Sequence, residues 1–167
     1  MNQIFISIGS NLDREHNISS GVAALRQAFS DLDLSAVYES EPIGCKGNWF
    51  YNLVASAYTN WSLLEVIECL SKIECEHGRM PSNEKRFAPC SLDLDLLLFG
   101  DLVCESPIVL PREEITYNAF VLLPLSELVP DRRHPIELER YQDLWSAFDK
   151  RSQSLTKIEF DWPESGS

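Results

Sequence analysis

The chain has 167 residues, with 44% hydrophobic and 10% aromatic residues, a net charge of −12 and five cysteines. That length and composition describe one globular domain spanning residues 1–167 with a sizeable core, and exclude a disordered or low-complexity chain. The acidic balance argues against a nucleic-acid binder, and no apolar run approaches the roughly 18 residues that a membrane-spanning helix needs.

In chain order, Gln3 to Ile8 reads as a strand closed by Gly9-Ser10-Asn11. Ile18, Val22, Leu25 and Phe29 then fall on one helical face at spacings of four and three. Leu34 to Glu39 reads as the second strand, Pro42 to Trp49 as a loop with Gly44 and Gly47 as turn residues, and Tyr51 to Tyr58 as the third strand. Ser62 and Glu65 have the spacing of a capping box, which opens a helix whose buried face is Leu63, Val66, Ile67, Leu70 and Ile73 and which Gly78 ends. A polar loop from Arg79 to Ala88 leads into a strand from Ser91 to Phe99. A short strand near Leu102 to Glu105 is expected next, then a short helix or turn over Phe120 to Leu128, a helix over Glu137 to Lys150 and a last strand over Thr156 to Phe160. Helices alternating with strands close enough to form hairpins indicate an α+β sandwich, with helices against a largely antiparallel sheet.

The stretch Pro89-Cys-Ser-Leu-Asp-Leu-Asp-Leu-Leu-Leu-Phe99 carries the most chemistry. In a strand, Asp93 and Asp95 project to one face while Leu92, Leu94 and Leu96 project to the other. Alternating Leu and Asp also describes an antiparallel strand with one wet face, but the apolar run Leu94 to Phe99 suits a central strand better. Two like charges so placed repel, and burying them without a partner is costly. Mg²⁺ relieves both problems, because it takes carboxylate oxygens together with waters and phosphate oxygens. The residues alone therefore point to a strand-borne Mg²⁺–polyphosphate site. The cysteines form no C-x-x-C pair and have no companion histidine spacing, so they read as free thiols in a reducing cytoplasm. His77 and His134 flank turns or helix ends and are expected at the surface.

Six pieces in order, Ile8-Gly-Ser-Asn-Leu12, Tyr38-Glu-Ser-Glu-Pro42, Phe50-Tyr-Asn52, Ile73-Glu-x-x-x-Gly-Arg79, Arg86-Phe-Ala-Pro-x-Ser-Leu-Asp-Leu-Asp95 and Phe120-Val-Leu-x-Pro-Leu125, resemble the 6-hydroxymethyl-7,8-dihydropterin pyrophosphokinase family. The resemblance covers roughly residues 4 to 135. It implies a ferredoxin-like α+β fold and a step of folate synthesis, in which the β,γ-diphosphate of ATP moves to the pterin hydroxymethyl oxygen and AMP is released. It implies two Mg²⁺ ions at Asp93 and Asp95, a nucleotide site using Glu74, Arg79, Arg86 and Arg112, and Arg79 acting in catalysis. Phe50 and Phe120 match the family's stacking rings, with Asn52, Ser40 and the backbone around Ile43 at the pterin edge. ATP and a pterin are the expected partners, without nucleic acid or membrane, for a cytoplasmic monomer.

The chain departs from the family pattern mainly where phosphate is handled. Cys90 and Asn118 stand where arginine is usual, Arg112 where histidine is usual, and an arginine is replaced near Pro81. Phe87 replaces a tryptophan, Ala88 a glycine, and Phe50 a common tyrosine, and the loop joining Arg79 to Arg86 is one residue longer. Three readings remain open at this level. The first is a pyrophosphokinase, the second a divergent pterin- and nucleotide-binding relative with weak or no activity, and the third a nucleotide-sugar transferase, disfavoured by its usual size and parallel sheet.

Overall fold

The structure, a computed structural model, describes residues 1–40, 49–77, 92–150, 155–160 and 162. The elements are β1 (Asn2–Ser10), α1 (Arg14–Ala28), β2 (Ser30–Leu34), β3 (Val37–Ser40), β4 (Phe50–Thr59), α2 (Leu63–Glu76), β5 (Asp93–Phe99), a 3-10 turn (Glu113–Thr116), α3 (Ala119–Leu128), α4 (Tyr141–Ala147) and β6 (Leu155–Ile158). The sheet order is β5-β1-β4-β3-β6, with β2 also paired to β4, and every pairing is antiparallel. This is the expected α+β fold, with helices on both faces of the sheet.

Side-chain alternation sorts the core into two halves. Ile4, Ile6 and Ile8 of β1, Leu53, Ala55 and Ala57 of β4, and Leu94 and Leu96 of β5 pack with α1 and α2. Phe5, Val54, Leu97 and Leu98 pack on the other side with Val121, Leu122 and Leu125 of α3 and Tyr141 of α4. The ladder of β1 and β5 shifts register between Phe5 and Ile6, and this irregularity lets both Leu97 and Leu98 reach the second cluster. The capping box at the start of α2 is present as expected. Ser62 Oγ accepts from Glu65 N–H and Glu65 Oε1 accepts from Ser62 N–H. Gly78 lies outside the described residues.

Five expectations need correction. The single strand over Leu34–Glu39 is two strands, because Ser35 interrupts the ladder. Its N–H donates to Val54 O, and its Oγ accepts from Val54 N–H, so a hydroxyl takes the place of a backbone carbonyl. The strand near Leu102–Glu105 is one bridge, Cys104 to Leu110, hemmed by Pro107 and Pro111, which lack the N–H needed to extend it. The helix expected over Glu137–Lys150 covers only Tyr141–Ala147. Ahead of it His134 is buried, not exposed, and its Nδ1 accepts from the N–H groups of Ile136 and Glu137, which holds that segment in a turn with Leu138 at φ 63°. Finally, β5 lies at the edge of the sheet, not its centre. Its apolar run reflects cover from helices on both faces rather than strands on both sides.

Two further details differ mildly. Gly9 is inside β1, not in the turn after it. His77 is half-buried, with Nδ1 against Ile73 O at 2.7 Å and Nε2 against Ser20 Oγ at 2.8 Å. Among the described residues, Cys69, Cys75 and Cys104 are free thiols, and no helix is long and apolar enough to cross a membrane.

The His134 turn has a pH signature. Burial lowers the His134 pKa below its ordinary 6.5, with Glu137 opposing, and only the neutral ring can accept both N–H bonds. Its stabilisation is therefore complete above about pH 6.5 and is lost as pH falls through the lowered folded value. Denaturant titrations of wild type and His134→Gln across pH 5–8 should show the acid-side loss of stability shrinking in the variant. An unchanged pH slope would contradict this role.

Candidate active site at the acidic edge strand

Cross-strand register builds the site. Asp93 lies opposite Gly9, Gly9 opposite Asn52, Asn52 opposite Tyr38, and Tyr38 opposite Lys157. These five residues form one row across five strands, on the face that carries α3. In the neighbouring row Asp95 lies opposite Ser7, and Ser7 opposite Val54. Asp93 and Asp95 thus share a face, as their spacing requires, and Leu94 between them is buried against α1 and α2. Leu92 is wholly buried and approaches Gly21 of α1, where an added Cβ would sit 2.9 Å from Leu92 Cδ2. That close approach anchors the chain directly before the first acid.

Gly9 opens the row between Asp93 and Asn52. A Cβ there would lie 3.0 Å from Asn52 Oδ1 and 3.6 Å from Cδ1 of Phe50. The absence of that carbon leaves a slot flanked by Asp93, Asn52 and Phe50. Sequence reasoning set Gly9 in the turn after the strand and so missed it; a glycine inside a strand marks close approach by a backbone or a ligand. Asn52 is 6% exposed, and its Nδ2 donates to Ser40 Oγ at 2.7 Å. Phe50 and Asn52 share one face of β4, and Phe120, at the first turn of α3, packs beside the second core cluster on that side of the sheet. The structure therefore brings Ser40, Phe50, Asn52, Phe120, Asp93 and Asp95 to one face. Ile43, Arg79 and Arg86 lie outside the described residues, as do Cys90, Pro81, Phe87 and Ala88.

Tyr38, at the far end of the row, was missed by motif reasoning because its partner is 89 positions away. Its hydroxyl donates to Glu127 Oε1 at 2.6 Å, and Lys157 Nζ stands 3.6 Å from Glu127 Oε2. This pair of contacts ties α3 to β3 and β6. At the mouth of the loop between β3 and β4, Arg14 Nη1 donates to Glu39 Oε2 and to Trp49 O, each at 2.7 Å, while the guanidinium lies 3.7 Å from the Tyr51 ring centre.

A cleft of about 160 Å³ runs along the outer edge of β5, lined by Leu70 and Glu74 of α2, Asp93 and Asp95, Ile108 and Arg112. Glu74 and Arg112, expected at a nucleotide site, thus meet there. Arg112 Nε donates to Leu96 O at 3.2 Å, and its Nη2 is 3.9 Å from Asp95 Oδ1. Asn118, at an expected arginine position, is the N-cap of α3 but makes no side-chain cap bond, and its Nδ2 donates to Glu114 Oε2 at 3.4 Å.

Asp95 is electrostatically frustrated. Burial pushes the Asp95 pKa from 3.8 up to about 7, the Asp93 charge pushes the same way, Arg112 opposes, and Glu114 and Glu74 add further upward pressure. Among the described residues no three metal-binding side chains cluster. Two carboxylates beside an open cleft nevertheless fit Mg²⁺, which usually takes one or two protein carboxylates and completes its shell with water and phosphate.

That frustration can be measured. Folded Asp95 keeps its proton to about pH 7 whereas the unfolded chain releases it near 3.8, so the folded state binds more protons between these values. Raising the pH through that window therefore drains stability from the metal-free protein. In EDTA at pH 8, Asp95→Asn should melt higher than wild type, and the two should converge toward pH 4. A lower melting temperature for Asp95→Asn at pH 8 would show that the carboxylate is locally satisfied.

Comparison with known proteins identifies the family. The family model for 7,8-dihydro-6-hydroxymethylpterin-pyrophosphokinase (HPPK) matches residues 5–130. A 2-amino-4-hydroxy-6-hydroxymethyldihydropteridine pyrophosphokinase of Pseudomonas aeruginosa is 35% identical over 141 residues, covering 80% of this chain and 84% of the relative. Its counterpart in Bacillus subtilis is 35% identical over 134 residues, covering 77% and 79%. Among solved structures, an HPPK-DHPS in complex with substrates superimposes with a TM-score of 0.71 at 10% identity, over 88% of this chain and 45% of that one. A Plasmodium falciparum HPPK-DHPS gives 0.70 at 12% identity, over 87% and 45%. The chain thus spans less than half of those bifunctional structures, and at such identities the likeness concerns the fold alone. The matched family model, together with relatives similar over most of their length, places this chain in the 7,8-dihydro-6-hydroxymethylpterin-pyrophosphokinase family.

Proposed function

We propose that this protein transfers the β,γ-diphosphate of ATP to the hydroxymethyl group of 6-hydroxymethyl-7,8-dihydropterin, releasing AMP. The observation that carries the reading is the position of Asp93 and Asp95. They stand where the cleft along the β5 edge meets the slotted row over β1 and β4. A nucleotide in the cleft and a pterin in the slot would present phosphate and hydroxyl to the same two carboxylates.

The chemistry is a displacement at phosphorus. The hydroxymethyl oxygen forms a bond to the β-phosphorus, the bond from that phosphorus to the oxygen bridging to the α-phosphate breaks, and AMP leaves with that oxygen. The hydroxyl proton passes to solvent. Such transfers depend on positioning and charge neutralisation more than on covalent help from the protein. Bound Mg²⁺ would supply charge neutralisation and a lowered pKa for the attacking hydroxyl. Asp93 and Asp95 would hold it, Arg112 adds a cation beside Asp95, and Arg79 and Arg86 are assigned to phosphate on the family pattern. Phe50 and Phe120 clamp the pterin ring, and Ser40 fixes the Asn52 amide that reads its polar edge.

The test is AMP release from ATP, Mg²⁺ and the pterin. Wild type should form AMP and the pterin diphosphate together, and Asp95→Ala should abolish both while remaining folded. Release of ADP, or no product with folded wild type, would contradict the assignment. Because Asn118 makes no cap bond, Asn118→Arg should be tolerated by α3 and raise turnover by adding a cation near the phosphates. A slower Asn118→Arg enzyme would show that the native residue is already suited to the reaction.

Pterin recognition has its own probe. Asn52→Asp exchanges the amide that donates to Ser40 for a second acceptor and places a charge beside the slot. It should weaken binding of a non-reactive pterin analogue by about 1–3 kcal/mol, that is, by roughly fivefold to a hundredfold, in calorimetry. Unchanged affinity in folded Asn52→Asp would place the pterin elsewhere.

A further inference from the structure

Among the described residues the outer edge of β5 pairs with no other strand, and an edge strand ordinarily leaves backbone donors and acceptors open. Here side chains and a loop occupy them. Leu94 N–H donates to Glu74 Oε2 at 2.7 Å, Leu96 O accepts from Arg112 Nε at 3.2 Å, and Leu97 O accepts from Arg112 N–H at 3.0 Å. Leu94 is the residue between the two acids, and its side chain is buried in the cluster that includes Leu70 and Ile73 of α2. Glu74 belongs to that same helix. Helix α2 therefore grips Leu94 twice, by its side chain through packing and by its N–H through a carboxylate.

We propose that Glu74 is a positioning residue for Asp93 and Asp95. Its carboxylate serves as the missing strand partner of Leu94 and so fixes the direction in which the two acids project. The claim rests on the functional reading above for its consequence in the reaction, and it differs from the nucleotide-contact role that the family pattern implies for Glu74. One physical point favours it. The bond is short and charge-assisted, hence strong and directional. The reach of Glu74 and its acceptor oxygen are what the strand uses. Without it, the Leu94 N–H would face the open cleft, the segment between the acids would lose a restraint, and small misplacements of catalytic groups lower rates steeply.

Three substitutions separate reach from charge. Glu74→Gln keeps the length and an acceptor oxygen but loses the charge. Glu74→Asp keeps the charge and is one methylene too short, and Glu74→Ala keeps neither. Backbone amide exchange, read residue by residue by NMR without ligand, should show Leu94 protected in wild type and in Glu74→Gln. In the Asp and Ala variants it should exchange at least about tenfold faster, with Ile6 and Ile8 of β1 unchanged. Turnover should follow protection, with Glu74→Gln above Glu74→Asp and the loss appearing in kcat more than in KM for ATP. A Leu94 amide that stays protected in Glu74→Asp or Glu74→Ala overturns the proposal. So does a Glu74→Gln enzyme as slow as Glu74→Ala with Leu94 still protected, because the charge would then act on the ligand directly. Should Glu74→Ala fail to fold, Glu74→Asp carries the same contrast. If wild type releases no AMP, the functional reading fails and the exchange pattern still decides the positioning claim.

Discussion

Two like charges held side by side on one strand are the constraint around which this molecule is arranged. Asp93 and Asp95 cannot turn apart, because strand geometry points both to one face and Leu92, Leu94 and Leu96 are locked into the core behind them. Burial and mutual repulsion hold Asp95 partly protonated near neutrality. The folded chain stores that unfavourable energy against about thirty buried apolar side chains, and a divalent cation with phosphate oxygens would release it.

The sheet acts as a ruler for the rest. Antiparallel register sets Asp93, Gly9, Asn52, Tyr38 and Lys157 in one line, and strand spacing of about 4.8 Å fixes the distances between them. The glycine between Asp93 and Asn52 removes a side chain and leaves a slot in the line. Glu127 locks the far end to α3, the helix that carries Phe120. At the near end no described strand pairs with the outer edge of β5, and the cleft runs along it. Pairing a further strand there would have satisfied the backbone and filled the cleft. Glu74 and Arg112 satisfy it instead with groups that leave the space open.

Much of this was legible in local sequence, and what was not has identifiable causes. The two-residue spacing of the acids dictates their shared face in any strand, and Ser62 with Glu65 dictates a capped helix start, so both expectations hold. The edge position of β5 was misread because a strand buried by helices on both faces has the same apolar run as one buried by neighbouring strands. Ser35 split a strand, and His134 shortened a helix, by the same device: a side chain took over a backbone hydrogen bond, which no periodicity reveals. The convergence of Glu74, Arg112 and the acids, and the link of Tyr38 to Glu127, depend on contacts distant in sequence. Family motifs pointed to the first set, and only the three-dimensional arrangement showed what Glu74 and Arg112 bond to.

The central claim is that a metal–nucleotide complex sits on Asp93 and Asp95 at the edge of the sheet. Paramagnetic Mn²⁺ in place of Mg²⁺, added with a non-hydrolysable ATP analogue, locates it directly by NMR line broadening. The account predicts selective loss of the Ser7, Gly9, Asp93, Leu94 and Asp95 amide signals in wild type, and none of this pattern in Asp93→Asn/Asp95→Asn. Broadening centred elsewhere, or an identical pattern in the double variant, would contradict it.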